Sequence, residues 1–269
     1  QSYKCGIMGS VEINTVKNVY DNYLTTPESL EINKYLAEMI NNDVDYAVLE
    51  TSAQAFKLQR TYGLNFEIGI FINFGEDHIS PKEHPDIDDY FKCKMQIFDN
   101  CKTAIINGDL DILDKIMPYV KNKKLYTFGL KNSNDFYAEN IKSDGSYVSF
   151  DLISKYITGK FRLSILGNFN VYNALAAIAA SYELGIDKKD IEKGLETVYV
   201  SGRMEVIKDK DLTVIIDYAH NKISFETLLD TVKKEFPNRR IISVYGCPGT
   251  KAINRRKDMG EISGKYTDF

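Results

Sequence analysis

Several residues whose chemistry is useful in a catalytic site stand at the ends of apolar runs. Glu50 closes the run Tyr46-Ala-Val-Leu49, and Asp77-His78 follow the run Ile68–Ile72 within a few residues. A carboxylate and an imidazole at adjacent strand ends can share a divalent cation, but an acid after a strand also serves as the N-cap of the next helix, so both readings stand. Lys94 lies on a helical stretch from about Ile87 to Asn100 and, taken alone, reads as part of a solvated face. Asn168, Asn170 and Asn173 bracket the start of an Ala-rich helix, and three amides so close together exceed what capping needs, leaving some to read a base or a ribose. Arg203 suits bidentate binding of a phosphate and equally a surface ion pair. Asp217-Tyr-Ala-His220 sits at the carboxyl end of another apolar run, where ligands gather in open α/β sheets. Gly246-Cys-Pro-Gly249-Thr-Lys251 has the residue types of a phosphate loop, but its spacing is wrong, because that loop needs four residues between its glycines and Lys-Ser/Thr directly after.

The elements that must position these residues alternate in a βα rhythm, which predicts an α/β fold. A helix is expected from Pro27, with Ile32, Leu36, Met39 and Ile40 on one face. Tyr46–Leu49 and Ile68–Ile72 read as strands buried on both faces, followed by a helix from about Ile87 and a strand at Thr103–Ile106. Asn107-Gly-Asp109 comes straight after that strand. The short alternating segments Tyr126–Phe128, Tyr147–Phe150 and Phe161–Ile165 predict antiparallel strands. Helices return at Val171–Leu184 and Lys188–Thr197. After a boundary at Gly202-Arg-Met-Glu205, a new series opens with strands at Thr213–Asp217 and Arg240–Val244 and helices around Ser224–Glu235 and from about Asn254. We therefore expect two domains, residues 1–203 and 204–269, the second being the opening of a Rossmann-like unit.

Composition narrows the function classes. The 269 residues are long enough to bury two cores, and 43% apolar with 27% charged residues is typical of a globular chain. A net charge of −4 offers no global basic field for nucleic acid. No apolar run approaches the roughly 20 residues of a membrane helix, and no signal segment opens the chain. The four cysteines contain no Cys-x-x-Cys, so free thiols in a reducing cytoplasm are expected.

Taken in order, the motifs are far more specific than any one of them. They are Thr25-Thr-Pro-Glu28, Glu50-Thr-Ser52 with Arg60, Asn73-x-x-x-Asp77-His78, Tyr90-x-x-x-Lys94, Gly167-Asn-Phe-Asn170-x-x-Asn173, Ser201-Gly-Arg-Met-Glu205 and Asp217-Tyr-Ala-His220. The set resembles the Mur ligases over nearly the whole chain, and most closely those that add the third residue of the peptidoglycan stem peptide. The resemblance implies a central domain with a mostly parallel sheet and a small antiparallel one, followed by the start of a Rossmann-like domain. It further implies a cytoplasmic, monomeric ATP-dependent ligase. Such an enzyme phosphorylates the D-glutamate carboxylate of a UDP-muramoyl dipeptide and joins it to the amine of a diamino acid, with Mg²⁺ as cofactor.

Carried over residue by residue, the resemblance assigns Glu50, His78 and a carbamylated Lys94 to the metal and to catalysis. Thr25, Thr26, Ser52 and Arg60 fall to the UDP-linked substrate, and Asn168, Asn173, Arg203 and Asp217 to ATP. Two positions depart from the family pattern: Leu58 replaces a glutamine, and Lys251 stands where an arginine meets the carboxylate of the added amino acid. The segment Tyr3-Lys-Cys-Gly-Ile-Met-Gly9 resembles the strand after the family's phosphate-loop helix, which leads us to expect that loop, and a uridine-binding domain, upstream of residue 1. Such a fragment alone is expected to be inactive. The rival readings are a folylpolyglutamate-synthetase-like ligase and a non-catalytic Mur-like binding subunit.

Overall fold

The structure is a computed structural model and describes residues 3–75, 79, 83–247 and 254–269. Two compact units emerge, each discontinuous in sequence. One comprises Gln1–Gly69, His78–Lys102 and Tyr119–Lys121; the other comprises Ile70–Asp77, Thr103–Pro118 and Asn122–Phe269.

The first unit is built on β1 (Cys5–Met8), β2 (Ile13–Asn14), β3 (Val19–Tyr20), α1 (Ser29–Asn41), β4 (Tyr46–Leu49) and α2 (Ala53–Lys57). After β5 (Phe66–Phe71) comes α3 (Ile87–Met95), which tightens into a 3₁₀ turn at Gln96–Phe98. Its sheet runs β3-β2-β1-β4, with β1 and β4 parallel. The apolar period of α1 places Ile32, Tyr35 and Met39 against Met8 and Ile13, and these five residues form the core of the unit. Two expectations fail here. Ile40 is 74% exposed because Tyr35, at the i+3 position, takes the inward place on the helix. The β4 residue Val48 is 55% exposed, so this strand is not buried on both faces. A continuous apolar run records hydrophobicity without recording which face is covered.

The second unit continues with β6 (Cys101–Asn107), α4 (Leu113–Val120), β7 (Lys124–Gly129), β8 (Phe136–Ser143), β9 (Val148–Ile153), β10 (Gly159–Leu163), α5 (Phe169–Glu183) and α6 (Lys188–Thr197). Then follow β11 (Glu205–Asp209), β12 (Leu212–Ile216), α7 (Lys222–Glu235) and α8 (Asn254–Tyr266). The larger sheet has the order β10-β9-β8-β7-β6-β5. It is parallel through β6, β7 and β8 and antiparallel through β8, β9 and β10. The antiparallel strands therefore continue the parallel sheet, and β7, expected to be antiparallel, pairs parallel on both sides. The nearly all-apolar helix α5 packs on β7 and β8, which accounts for its burial.

Beyond Gly202, β12 pairs antiparallel with β11, and α7 packs on α8 through Phe225, Leu229, Met259 and Ile262. The expected strand at Arg240–Val244 is absent from the ladders. Val244 is 93% exposed, and the backbone of this segment bonds to Asp268 and Phe269 instead (Asp268 N to Ile241 O 2.9 Å, Ser243 N to Phe269 O 2.9 Å). Strand propensity cannot supply a neighbour, and the ladder bonds of this run go to irregular backbone. The cysteines are free, and no helix among the described residues is long and apolar enough to cross a membrane.

Candidate active site

In the first unit, parallel pairing puts Met8 opposite Leu49, so Gly9 and Glu50 leave the sheet side by side at its carboxyl edge. The Ser10 N–H donates to Glu50 Oε2 at 2.7 Å, fixing an otherwise exposed carboxylate. A Cβ on Gly9 would stand 3.0 Å from that oxygen, so the absent side chain leaves the acid room.

The loop before α1 is tied to the same edge. The Ser10 hydroxyl donates to Thr25 Oγ1 at 3.0 Å. The fully buried Thr26 donates its hydroxyl to Glu50 O and accepts from Ser52 N–H, both at 2.9 Å. Arg60, only 8% exposed, donates to Thr26 O at 3.0 Å and pairs with Glu28 at 2.7 Å, while its Nε has no partner. Ser52 also caps α2, its Oγ accepting Ala55 N–H at 3.1 Å. Thr25, Thr26, Glu50, Ser52 and Arg60, expected from scattered motifs, thus form one hydrogen-bonded group.

Helix α3 is N-capped by Asp86, whose side chain accepts Asp89 N–H at 2.8 Å. Asp89 then holds two partners, His84 Nδ1 at 2.7 Å and Lys57 Nζ at 2.8 Å. Lys57 and then His84 hold the Asp89 carboxyl below the usual carboxylate range. Donor atoms of His84, Asp89 and Cys93 lie within 4.8 Å of one another, a spacing a metal ion could use. The Lys57 ammonium already occupies the Asp89 carboxylate, so the cluster works as a charged clamp between α2, α3 and the buried His84. Lys94 is half-buried in the last turn of α3, its Nζ 5.5 Å from the Tyr90 ring centroid. His78 and Lys251 lie outside the described residues.

In the second unit the three asparagines divide their work. Asn170 is buried and donates to Leu166 O at 2.8 Å, and Asn173 donates to Asn170 Oδ1 at 2.9 Å. Asn168 holds the N-cap position without a side-chain capping bond, and both Asn168 and Asn173 are exposed. Gly167, at φ +98°, makes the turn into α5 that a side chain would strain.

Both oxygens of Asp217 accept backbone N–H groups, from Met204 and Ala219, each at 2.8 Å. Arg203 lies over the Tyr218 ring, 4.4 Å from its centroid, which orients the guanidinium. Glu205 accepts from the Tyr199 hydroxyl at 2.6 Å and from Gly202 N–H at 2.9 Å; these bonds, Tyr199's first, hold its pKa low and brace the turn carrying Arg203. Sequence reading passed over Ser10, His84 and Asp89. The signal for Ser10 was its place at the end of β1, where the same strand-end rule applies that singled out Glu50.

Comparison with known proteins identifies the family. The family profile described as Mur ligase middle domain matches residues 2–181, and that described as Mur ligase, glutamate ligase domain matches residues 202–269. The UDP-N-acetylmuramoyl-L-alanyl-D-glutamate--2,6-diaminopimelate ligase 1 of Clostridium acetobutylicum is 36% identical over 99% of this chain and 55% of its own length. The corresponding L-lysine ligase of Enterococcus faecalis is also 36% identical, over 94% of this chain and 51% of its own. The chain thus spans about half the length of the curated relatives it matches.

Among solved structures, a UDP-N-acetylmuramoyl-L-alanyl-D-glutamate--2,6-diaminopimelate ligase aligns with TM-score 0.74 at 24% identity, over 98% of this chain and 55% of that one. A folylpolyglutamate synthase of Thermotoga maritima aligns with TM-score 0.72 at 18% identity, over 99% of this chain and 68% of that one. Identities this low show a shared fold and nothing more.

Proposed function

This chain belongs to the Mur ligase family, and from that premise we propose that the whole protein is an ATP-dependent ligase acting in the cytoplasm. It joins a diamino acid to the D-glutamate carboxylate of a UDP-muramoyl dipeptide. The observation that carries this reading is the hydrogen-bonded group at the carboxyl edge of β1 and β4, which gathers Thr25, Thr26, Glu50, Ser52 and Arg60 in one place. Curated relatives that add diaminopimelate and relatives that add lysine are equally identical to this chain, so the third substrate is assigned only as a diamino acid.

The chemistry is that implied by the family resemblance. The carboxylate attacks the γ-phosphorus of ATP, giving an acyl phosphate and ADP. The amine then attacks the acyl carbon, phosphate leaves with the C–O bonding electrons, and the amine proton passes to solvent. Mg²⁺, when bound, would offset the repulsion between the two anions that must meet. The residues present fit it: Glu50 is exposed, oriented by Ser10 N–H, and given clearance by Gly9. Glu50, His78 and Lys94 are its proposed holders, and carbamylation of Lys94 would turn a repelling cation into an anionic ligand.

Arg60 is the proposed contact for an anionic group of the UDP-linked substrate through its unpartnered Nε, an exchange that must displace Glu28 from its outer nitrogen. The exposed amides of Asn168 and Asn173 suit the base and ribose of ATP; Asp217, held by the Met204 and Ala219 N–H groups, is the third proposed contact there, and Arg203 lies near the phosphates. Lys251 takes the carboxylate of the incoming amino acid. Residues 1–203 would form the central domain, and 204–269 would open the next one.

The test is amide formation by the full-length protein with ATP, UDP-muramoyl dipeptide and a panel of diamino acids. Product with one of them, accompanied by ADP, is expected. Turnover only with folylpolyglutamate and glutamate, or none with any acceptor, overturns the proposal in favour of a folate-type ligase or a binding subunit.

A further inference from the structure

At the carboxyl end of β6, Asp109 is more heavily bonded than a strand-end acid needs to be. It accepts from the N–H groups of Leu130 (2.6 Å) and Lys131 (3.4 Å), from the Asn134 amide at 2.9 Å and from the Tyr172 hydroxyl at 3.0 Å. Its own N–H donates to Asn107 Oδ1 at 3.0 Å, and Asn107 in turn donates to Ile72 O at 3.0 Å. Two glycines are cleared for this knot. A Cβ on Gly129 would stand 2.6 Å from both Asp109 Oδ1 and Asn134 Nδ2, and one on Gly108 would collide with Asn134 Oδ1. Burial of Asp109 opposes its charge, but the bonds from Leu130, Asn134, Tyr172 and Lys131 outweigh that and keep its pKa below the usual range. Burial, and then the bond to Asp109, pushes the Tyr172 phenol up to about 12, so it remains a donor.

Tyr172 is the only one of these partners on α5, and it lies in the first turn of that helix, directly before Asn173 and four residues after Asn168. The other bonds hold Asp109 rigidly to β6, to the β7–β8 connection and to the end of β5. The Tyr172 bond therefore carries that rigidity to the turn on which the two exposed amides ride. We infer that Asp109 and Tyr172 are positioning residues for nucleotide binding, setting the first turn of α5 so that Asn168 and Asn173 meet the base and ribose of ATP.

The inference rests on the proposed reading of Asn168 and Asn173, so the experiment includes a variant that tests that reading by itself. In the full-length protein, Tyr172→Phe keeps the ring and its packing and removes one O–H, while Asp109→Asn removes the charge. Each is expected to raise the KM for ATP about tenfold, the scale of one hydrogen bond to a carboxylate. In Tyr172→Phe the kcat, the KM values of the other two substrates and the melting temperature should stay near wild type; Asp109→Asn, which turns one acceptor oxygen into a donor facing the Asn134 amide or the Leu130 N–H, should also lower the melting temperature. The double variant should fall short of the sum of the two single effects, because both changes weaken the same Asp109–Tyr172 contact. Unchanged ATP KM in both variants overturns the inference, as does an equal rise in all three KM values, which would mark a merely structural knot. Asn173→Ala separates the two levels. If it raises the ATP KM and the others do not, only the positioning role fails; if it too has no effect, the nucleotide reading itself fails.

Discussion

Thr26→Val distinguishes a hydroxyl that links the site from a side chain that merely fills space. Valine has nearly the same shape, so it preserves packing at this fully buried position but removes the atom that donates to Glu50 O and accepts Ser52 N–H. Two backbone groups lose their partners. At about 1–3 kcal/mol for each orphaned buried group, and less where water can reach the Glu50 end, the cost is about 2–4 kcal/mol. Thr26→Ser makes the opposite change, retaining the hydroxyl and losing one methyl, for about 1 kcal/mol. The order of the two variants is therefore the test. If Thr26 were only core filler, valine would be the milder replacement; if the hydroxyl is the link, serine is. Urea unfolding of the full-length protein and both variants measures this. With m of about 2–3 kcal/mol/M, valine should lower the midpoint by about 1 M and serine by less than 0.5 M. Amide exchange at Ser52 gives a local reading, with protection lost in Thr26→Val and kept in Thr26→Ser. A valine variant as stable as the serine variant, with Ser52 still protected, refutes the argument.

Asp89, held below the ordinary carboxylate range by Lys57 and His84, contributes stability that is present above its unfolded pKa near 4 and is lost as pH falls through its lower folded value. Asp89→Asn should therefore flatten the melting temperature against pH below about 4, as differential scanning calorimetry would register, and an unchanged acid limb would contradict this. Phe136 is fully buried against Tyr126, Tyr156 and Tyr182, and Phe136→Ala should cost about 3–5 kcal/mol by denaturant titration. Gly9→Ala brings a methyl to 3.0 Å from Glu50 Oε2, and should raise several-fold the Mg²⁺ concentration giving half-maximal turnover in the full-length protein. Carbamylation of Lys94 predicts a carbamate resonance in ¹³C-bicarbonate-labelled protein that disappears in Lys94→Ala.

The sequence by itself determined the family, the α/β class and most element positions. Those rest on local information, namely apolar period, breakers and an ordered set of short motifs. Lys188–Thr197 could be read to the residue because its amphipathic stripe is bounded by the Gly185-Ile-Asp187 turn before it and the β-branched, extended Val198 after it. The candidate residues were legible as types at strand ends, because the carboxyl edge of a parallel sheet is where backbone geometry opens a crevice. Tertiary structure decided what no period encodes. Which strand pairs with which is a non-local choice, and so β7 proved parallel and Arg240–Val244 found irregular backbone in place of a ladder. Which face of a helix is covered depends on the neighbour it meets, so Tyr35 went in and Ile40 came out. The knots around Thr26 and Asp109 depend on residues far apart in the chain coming within 3 Å, whereas the division of labour among Asn168, Asn170 and Asn173 is settled locally by the turn into α5. Hydrogen bonds act over such distances only after folding has brought their partners together, and so the sequence names the chemistry and the fold sets its geometry.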